Sequence, residues 1–359
     1  MEEKKFDPNS LIGFVLIFGI FIWIMYQNQP SEAELAAEKA KKEVVVANET
    51  KANQVAAKEV GETVQVGDTV QLAKLQKSLG DFAYSATLPS AKEAYTTIEN
   101  KVVILKIANK GGYIVEATLK NYERFKKGSG QLVSLIKDNN ANLNVQLITN
   151  DNRTLNTKDL FFEPSLTKSG DDQVLSMRLK AGADSFLEYK YVLKADDYML
   201  DFDIQSQGLS KVLSAAKPLN LEWDLKAYSN EKSLTTENRY SEMYYEYEDG
   251  KSDYLGQSTD KTENAENVSY IAYKQHFFSS ILLTDAPFEK AELYTNNLVG
   301  GDNVDTTFTK QFKAIVPLAF KNGEINEKMN WYYGPTDYKM LKAYDRNLED
   351  IVALGWGIF

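Results

Sequence analysis

The chain has 359 residues, a formal net charge of −10, one histidine and no cysteine. The acidic balance argues against nucleic acid as a partner. Without cysteine there can be no disulfide, thiolate metal site or thiol nucleophile. His276 alone leaves almost nothing for transition-metal or acid–base chemistry, so no cofactor is expected and a scaffold or binding module fits better than an enzyme.

Residues 1–10 form a short N-terminus that carries Lys4 and Lys5. The run from Leu11 to Tyr26 then lies inside a charge-free stretch of 24 residues, Pro8 to Ser31. As a helix that stretch reaches about 36 Å, enough to cross a bilayer. An anchor helix is expected over 11–27, with Leu11, Phe14, Ile17 and Phe21 among its anchoring residues and Trp23 and Tyr26 in the interfacial belt. No A-x-A cleavage site follows. The next basic residue after the span is Lys39, so the lysine bias places the N-terminus in the cytoplasm and the bulk of the chain outside it.

Residues 28–75 contain no aromatic side chain and read as a flexible linker, because too little apolar surface is available to offset the entropy of ordering. The texture then changes, and residues 76–336 read as one domain. Leu143, Val145 and Leu147 alternate with polar residues. So do Leu175, Met177 and Leu179, then Leu187, Tyr189, Tyr191 and Leu193, then Leu200, Phe202 and Ile204. This period of two marks strands with one buried face. Gly111-Gly112, Asp249-Gly250 and Asn322-Gly323 suit tight turns between them. The abundance of tyrosine and phenylalanine, 21 and 17 residues, agrees with a strand-rich core. The fold class expected is mainly β, a large antiparallel sandwich.

Asp201 and Asp203 superficially resemble a calcium loop, but Ser206 and Val212 stand where that loop needs Gly and Glu. His276 has no acidic partner nearby in sequence and reads as a structural histidine. The segment from Arg239 to Asp249 interleaves Tyr240, Tyr244, Tyr245 and Tyr247 with carboxylates. Its plainest reading is an exposed strand with an acidic wet face. Its sharper reading is a partner surface, since tyrosine is enriched at interfaces.

Residues 337–359 close the chain. Leu341, Tyr344, Leu348 and Ile351 recur at helical spacing, which predicts an amphipathic helix from Asp337 to Leu354 that packs on the sandwich. Trp356, Ile358 and Phe359 end the chain on an apolar note, as if at the threshold of a further membrane segment.

Taken in order, these features resemble the N-terminal half of a Gram-negative YidC-type membrane-protein insertase. The resemblance rests on the opening MEEKKFDPNS and its anchor, the Ala/Lys/Glu linker, Ala108 to Phe125 (ANKGGYIVEATLKNYERF) and Tyr273 to Asp285 (YKQHFFSSILLTD). It rests above all on Trp331 to Leu341 (WYYGPTDYKML) with Leu348 to Phe359 (LEDIVALGWGIF). It implies an inner-membrane protein with a periplasmic β-supersandwich, closed by a C-terminal helix leading to a membrane core. The implied partners are the lipid bilayer, the Sec translocon with its accessory subunits, and nascent inner-membrane proteins. The membrane core and its insertion groove are not in this chain, so no residue here is assigned insertase chemistry. An anchored, non-catalytic glycan-binding or adaptor module is the alternative.

Overall fold

The computed structural model describes residues 69–126, 128–248, 250–256, 260–299 and 306–352. The expected anchor (Leu11, Phe14, Ile17, Phe21, Trp23, Tyr26), most of the linker and the apolar tail lie outside the described residues. Among the described residues, no helix is long and apolar enough to cross a membrane.

The first described element is helix α1, Thr69–Leu79, which crosses the expected linker–domain boundary at residue 75. Leu75 and Leu79 sit one helical turn apart on one face and are buried while Val70 and Leu72 stay exposed, so two leucines suffice to dock the helix. A short helix α2, Ala83–Ala86, follows.

A four-stranded antiparallel sheet comes next: β1 Tyr95–Glu99, β2 Val103–Ala108, β3 Ile114–Glu123 and β4 Leu132–Ile136, in that spatial order. Gly111 and Gly112 both adopt positive φ, 85° and 68°, in the β2–β3 connection. A Cβ on Gly112 would lie 2.8 Å from the Phe162 ring, so this turn needs glycine for its conformation and for the approach of the ring.

The larger, fourteen-stranded sheet is also antiparallel. Its first strands are β5 Ala141–Ile148, β6 Thr154–Asn156, β7 Glu163–Ser169, β8 Asp172–Lys180, β9 Phe186–Leu193, β10 Met199–Gln207 and β11 Leu219–Tyr228. After helix α3, Leu234–Arg239, come β12 Ser241–Tyr247, β13 Lys251–Leu255, β14 Lys261–Gln275 and β15 Phe278–Asn297. The last are β16 Phe308–Leu318, β17 Phe320–Lys321 and β18 Glu324–Pro335. The alternating runs expected on β5, β8, β9 and β10 place every one of their apolar members in the core. Asn322 and Gly323, both at positive φ, turn β17 into β18.

Strand β15 organises this sheet. Its first residues pair with β18 and its last with β16, while β14 runs along its other edge. Trp331 on β18 pairs with Leu282 of β15, whereas Trp223 on β11 pairs with Ala314 of β16, itself paired with Leu293 of β15, a position roughly 36 Å further along an extended strand. Their rings nevertheless meet at 4.7 Å. The sheet therefore folds over on itself around β15, and its two halves share a core. Rings line that core from Tyr191 and Phe202 (4.9 Å) through Phe202 and Trp331 (5.8 Å) to Trp223 and Tyr273 (3.6 Å). The buried hydroxyls are satisfied: Tyr273 donates to the Trp223 carbonyl and Tyr191 to the Gly112 carbonyl, each at 2.9 Å. The second of these bonds also ties the four-stranded sheet to the larger one.

Candidate functional site: the C-terminal segment and the aromatic groove

The continuous helix expected over Asp337–Leu354 is replaced by two short turns, α4 (Tyr338–Lys342) and a 3-10 turn at Leu348–Ile351. Asp337 caps α4, accepting from the amides of Lys339 (2.9 Å) and Met340 (3.0 Å). The helix stops because Asp345 and Asn347 adopt left-handed backbone, φ 55° at both, a region that Asp and Asn tolerate better than other non-glycine residues.

The apolar stripe nevertheless reaches the body. Leu341, Leu348 and Ile351 are fully buried, and the Tyr344 ring meets Tyr332 edge-on at 5.7 Å. Tyr344 donates to Asp197 at 2.6 Å, and burial together with that carboxylate pushes its phenol pKa well above the ordinary value. Arg346 donates to the Thr284 carbonyl, Asn347 to Glu246, and Ser252 to Asp350, at 2.8–2.9 Å. Residues 341–351 are thus fastened to β12, β13, β15 and the β9–β10 turn.

The tyrosine-rich strand is not the exposed face expected for it. β12 is hydrogen-bonded on both edges, to β13 and β14. Tyr244 and Tyr245 are buried, Tyr247 is half-buried, and only Tyr240 is open to solvent. Nor is the acidic face wet. Glu246 accepts from Asn347, and Glu242 pairs with Lys274 at 3.2 Å in a bridge buried on both sides.

Close to that bridge, Lys310 on β16 donates to the Ser241 carbonyl at 2.7 Å. Burial lowers its pKa from 10.5 to about 8, with Glu242 acting in the opposite direction. Between pH 8 and 10 the unfolded chain therefore holds more of this proton than the folded one, so stability should rise with pH across that window. Above pH 10 the trend should reverse, because burial raises the phenol pKa values of Tyr189, Tyr191 and Tyr273 and folding then retains their protons. Urea unfolding of Lys310→Met should lose the rise between pH 8 and 10 while keeping the fall above it. An unchanged rise would assign it to another group.

His276 does have an acidic partner, supplied by the fold. It turns β14 into β15 at φ 57°, and its Nδ1 lies 2.6 Å from an oxygen of Glu231. Its ring stacks on Phe277 (3.8 Å) and Tyr240 (4.5 Å). Glu231 is held in place because the buried Glu237 accepts from the amides of Asn230 and Glu231 and from the Ser229 hydroxyl. No cluster of three metal-ligating side chains occurs among the described residues.

Beside this pair lies a groove of ≈ 540 Å³ between the end of β3, the 230–232 loop, the β14–β15 turn and the residues after β18. Tyr122 and Phe278 meet edge-on in it at 5.3 Å. Phe125 and Phe277 line it while 58% and 56% exposed. Phe125 is fixed by its amide bond to the Asn230 carbonyl (3.1 Å), and the Thr336 amide binds the Phe277 carbonyl (2.7 Å). Each aromatic is visible in the sequence, but nothing local shows that residues 125, 277 and 336 converge.

The family model for the YidC periplasmic domain matches residues 95–359. A protein named membrane protein insertase YidC from Parabacteroides distasonis is 32% identical over 98% of the chain, and one of the same name from Bacteroides fragilis is 31% identical over 98%. The chain spans 57% and 55% of the lengths of these two relatives. Among solved structures, a galactose mutarotase-like protein from Lactobacillus casei is 13% identical, with a TM-score of 0.38 and coverage of 67% of this chain and all of that one. At that distance it carries no functional argument. The match over the whole sandwich and the C-terminal segment shows that the chain belongs to the YidC periplasmic domain family.

Proposed function

We propose that this chain is the anchored, periplasmic portion of a membrane-protein insertase and chaperone, which moves and folds inner-membrane proteins without covalent chemistry. The observation that carries this reading is the alignment of insertase relatives over 98% of the chain, N-terminal apolar run included. In this reading residues 11–27 anchor the protein in the inner membrane and the antiparallel sandwich is a periplasmic β-supersandwich. The segment bearing Leu341, Tyr344, Leu348 and Ile351 couples the sandwich to a membrane core. Its partners are the bilayer, nascent inner-membrane proteins, and the Sec translocon with its accessory subunits.

Protease protection tests the arrangement. In spheroplasts expressing the chain, external protease should digest the sandwich, whereas inverted inner-membrane vesicles should protect it. The opposite pattern would place the domain in the cytoplasm and overturn the reading.

A further inference from the structure

We propose that the groove beside His276 is a docking site for an extended polypeptide segment that presents a large apolar side chain next to a basic residue. This deepens the reading of the domain as a contact surface for other polypeptides and rests on it. Phe125 and Phe277 are each more than half exposed although both line a concave surface, where an aromatic side chain gains most from being covered. They do not depend on a ligand for their placement, since main-chain bonds at 3.1 and 2.7 Å fix the two segments that carry them.

The charges on the groove decide between occupants. Glu123, Glu231 and Asp337 line it against a single lysine, Lys232. Glu231 faces His276, and Asp337 is turned toward the first amides of α4. An anionic lipid surface is disfavoured by this excess of carboxylates and by the net charge of −10. A polypeptide with arginine or lysine beside its apolar anchor is complementary to it.

The test uses the whole 359-residue chain in nanodiscs. The absence of native cysteine lets Lys232→Cys carry one environment-sensitive dye at the rim. The probe is a nonapeptide with Leu-Phe at its centre and an arginine on either side. Controls replace the arginines by glutamate or the Leu-Phe by serine.

A saturable emission shift is expected with the arginine peptide, at least tenfold weaker with either control. Phe277→Ala and Phe125→Ala should each weaken it about tenfold, with thermal melting unchanged because both side chains are exposed. Phe277→Leu should bind within about threefold of the parent, since an apolar anchor remains. Absence of any shift, or binding by both alanine variants as tight as by the parent, would overturn the proposal. So would a dye already buried by anionic discs before peptide is added, which would make the bilayer the occupant. None of these outcomes touches the protease-protection result, so failure of the groove and failure of the membrane arrangement are distinguishable.

Discussion

Trp331→Ala is expected to destabilise the sandwich by about 3–5 kcal/mol, the range for deleting a large buried aromatic. The residue is 2% exposed and sits where the folded-over halves of the large sheet meet. Its ring lies 5.8 Å from Phe202, 4.7 Å from Trp223 and 5.7 Å from Tyr333. These partners come from β10, β11 and β18 itself, so little can collapse into the space without shifting strands that are hydrogen-bonded on both edges. In a body of this size the loss corresponds to a fall in melting temperature of roughly 6–15 °C. Far-UV circular dichroism during urea unfolding measures it, since a fluorescence signal would change with the tryptophan. A loss under about 1 kcal/mol would mean that the two halves do not depend on this contact.

The second large effect concerns the C-terminal segment. Leu348→Ala is expected to cost about 2–5 kcal/mol of local packing, because Leu348 is fully buried. The segment is also held by polar bonds from Asn347, Arg346 and Tyr344, so the cost should appear as local opening and not as global unfolding. Amide exchange at residues 341–352 should accelerate strongly while the strands of β9 and β10 keep their protection. Lys342→Ala, on an exposed position of α4, should leave exchange unchanged. If Leu348→Ala accelerated exchange equally in the whole body, the segment would be part of the global core. If it accelerated none, the burial of Leu348 would be without energetic weight.

The contrast between β8 and β12 shows what periodicity can and cannot convey. Leu175, Met177 and Leu179 alternate with residues that stay partly exposed, so a period of two reports the buried face directly. β12 mixes tyrosine with glutamate without a strict period, and nearly all of it is buried. Lys274 and Asn347 compensate its carboxylates, and they stand 32 and 101 positions away from their partners Glu242 and Glu246. A local pattern cannot register a partner at that distance.

The C-terminal stripe fails differently. Spacings of three and four put Leu341, Tyr344, Leu348 and Ile351 on one helical face, and the same residues do reach the core. Two left-handed residues, Asp345 and Asn347, let short turns deliver them without a continuous helix. In α1 a pair of leucines was enough to order a stretch whose composition reads as linker. The aromatic groove, like the Glu231–His276 pair, exists only once β3, β14 and β18 are brought to one end of the sandwich.

Client insertion tests most directly whether this chain supplies the periplasmic portion of an insertase. The chain would be joined to the remaining C-terminal part of the Parabacteroides distasonis relative and expressed in cells depleted of their own insertase. Insertion of a single-span inner-membrane client would be followed by protease protection of its translocated tail. The chimera is expected to restore insertion, Leu348→Ala to reduce it, and Lys342→Ala to leave it unchanged. A chimera that accumulates folded in the membrane at normal levels yet inserts no client would contradict that expectation.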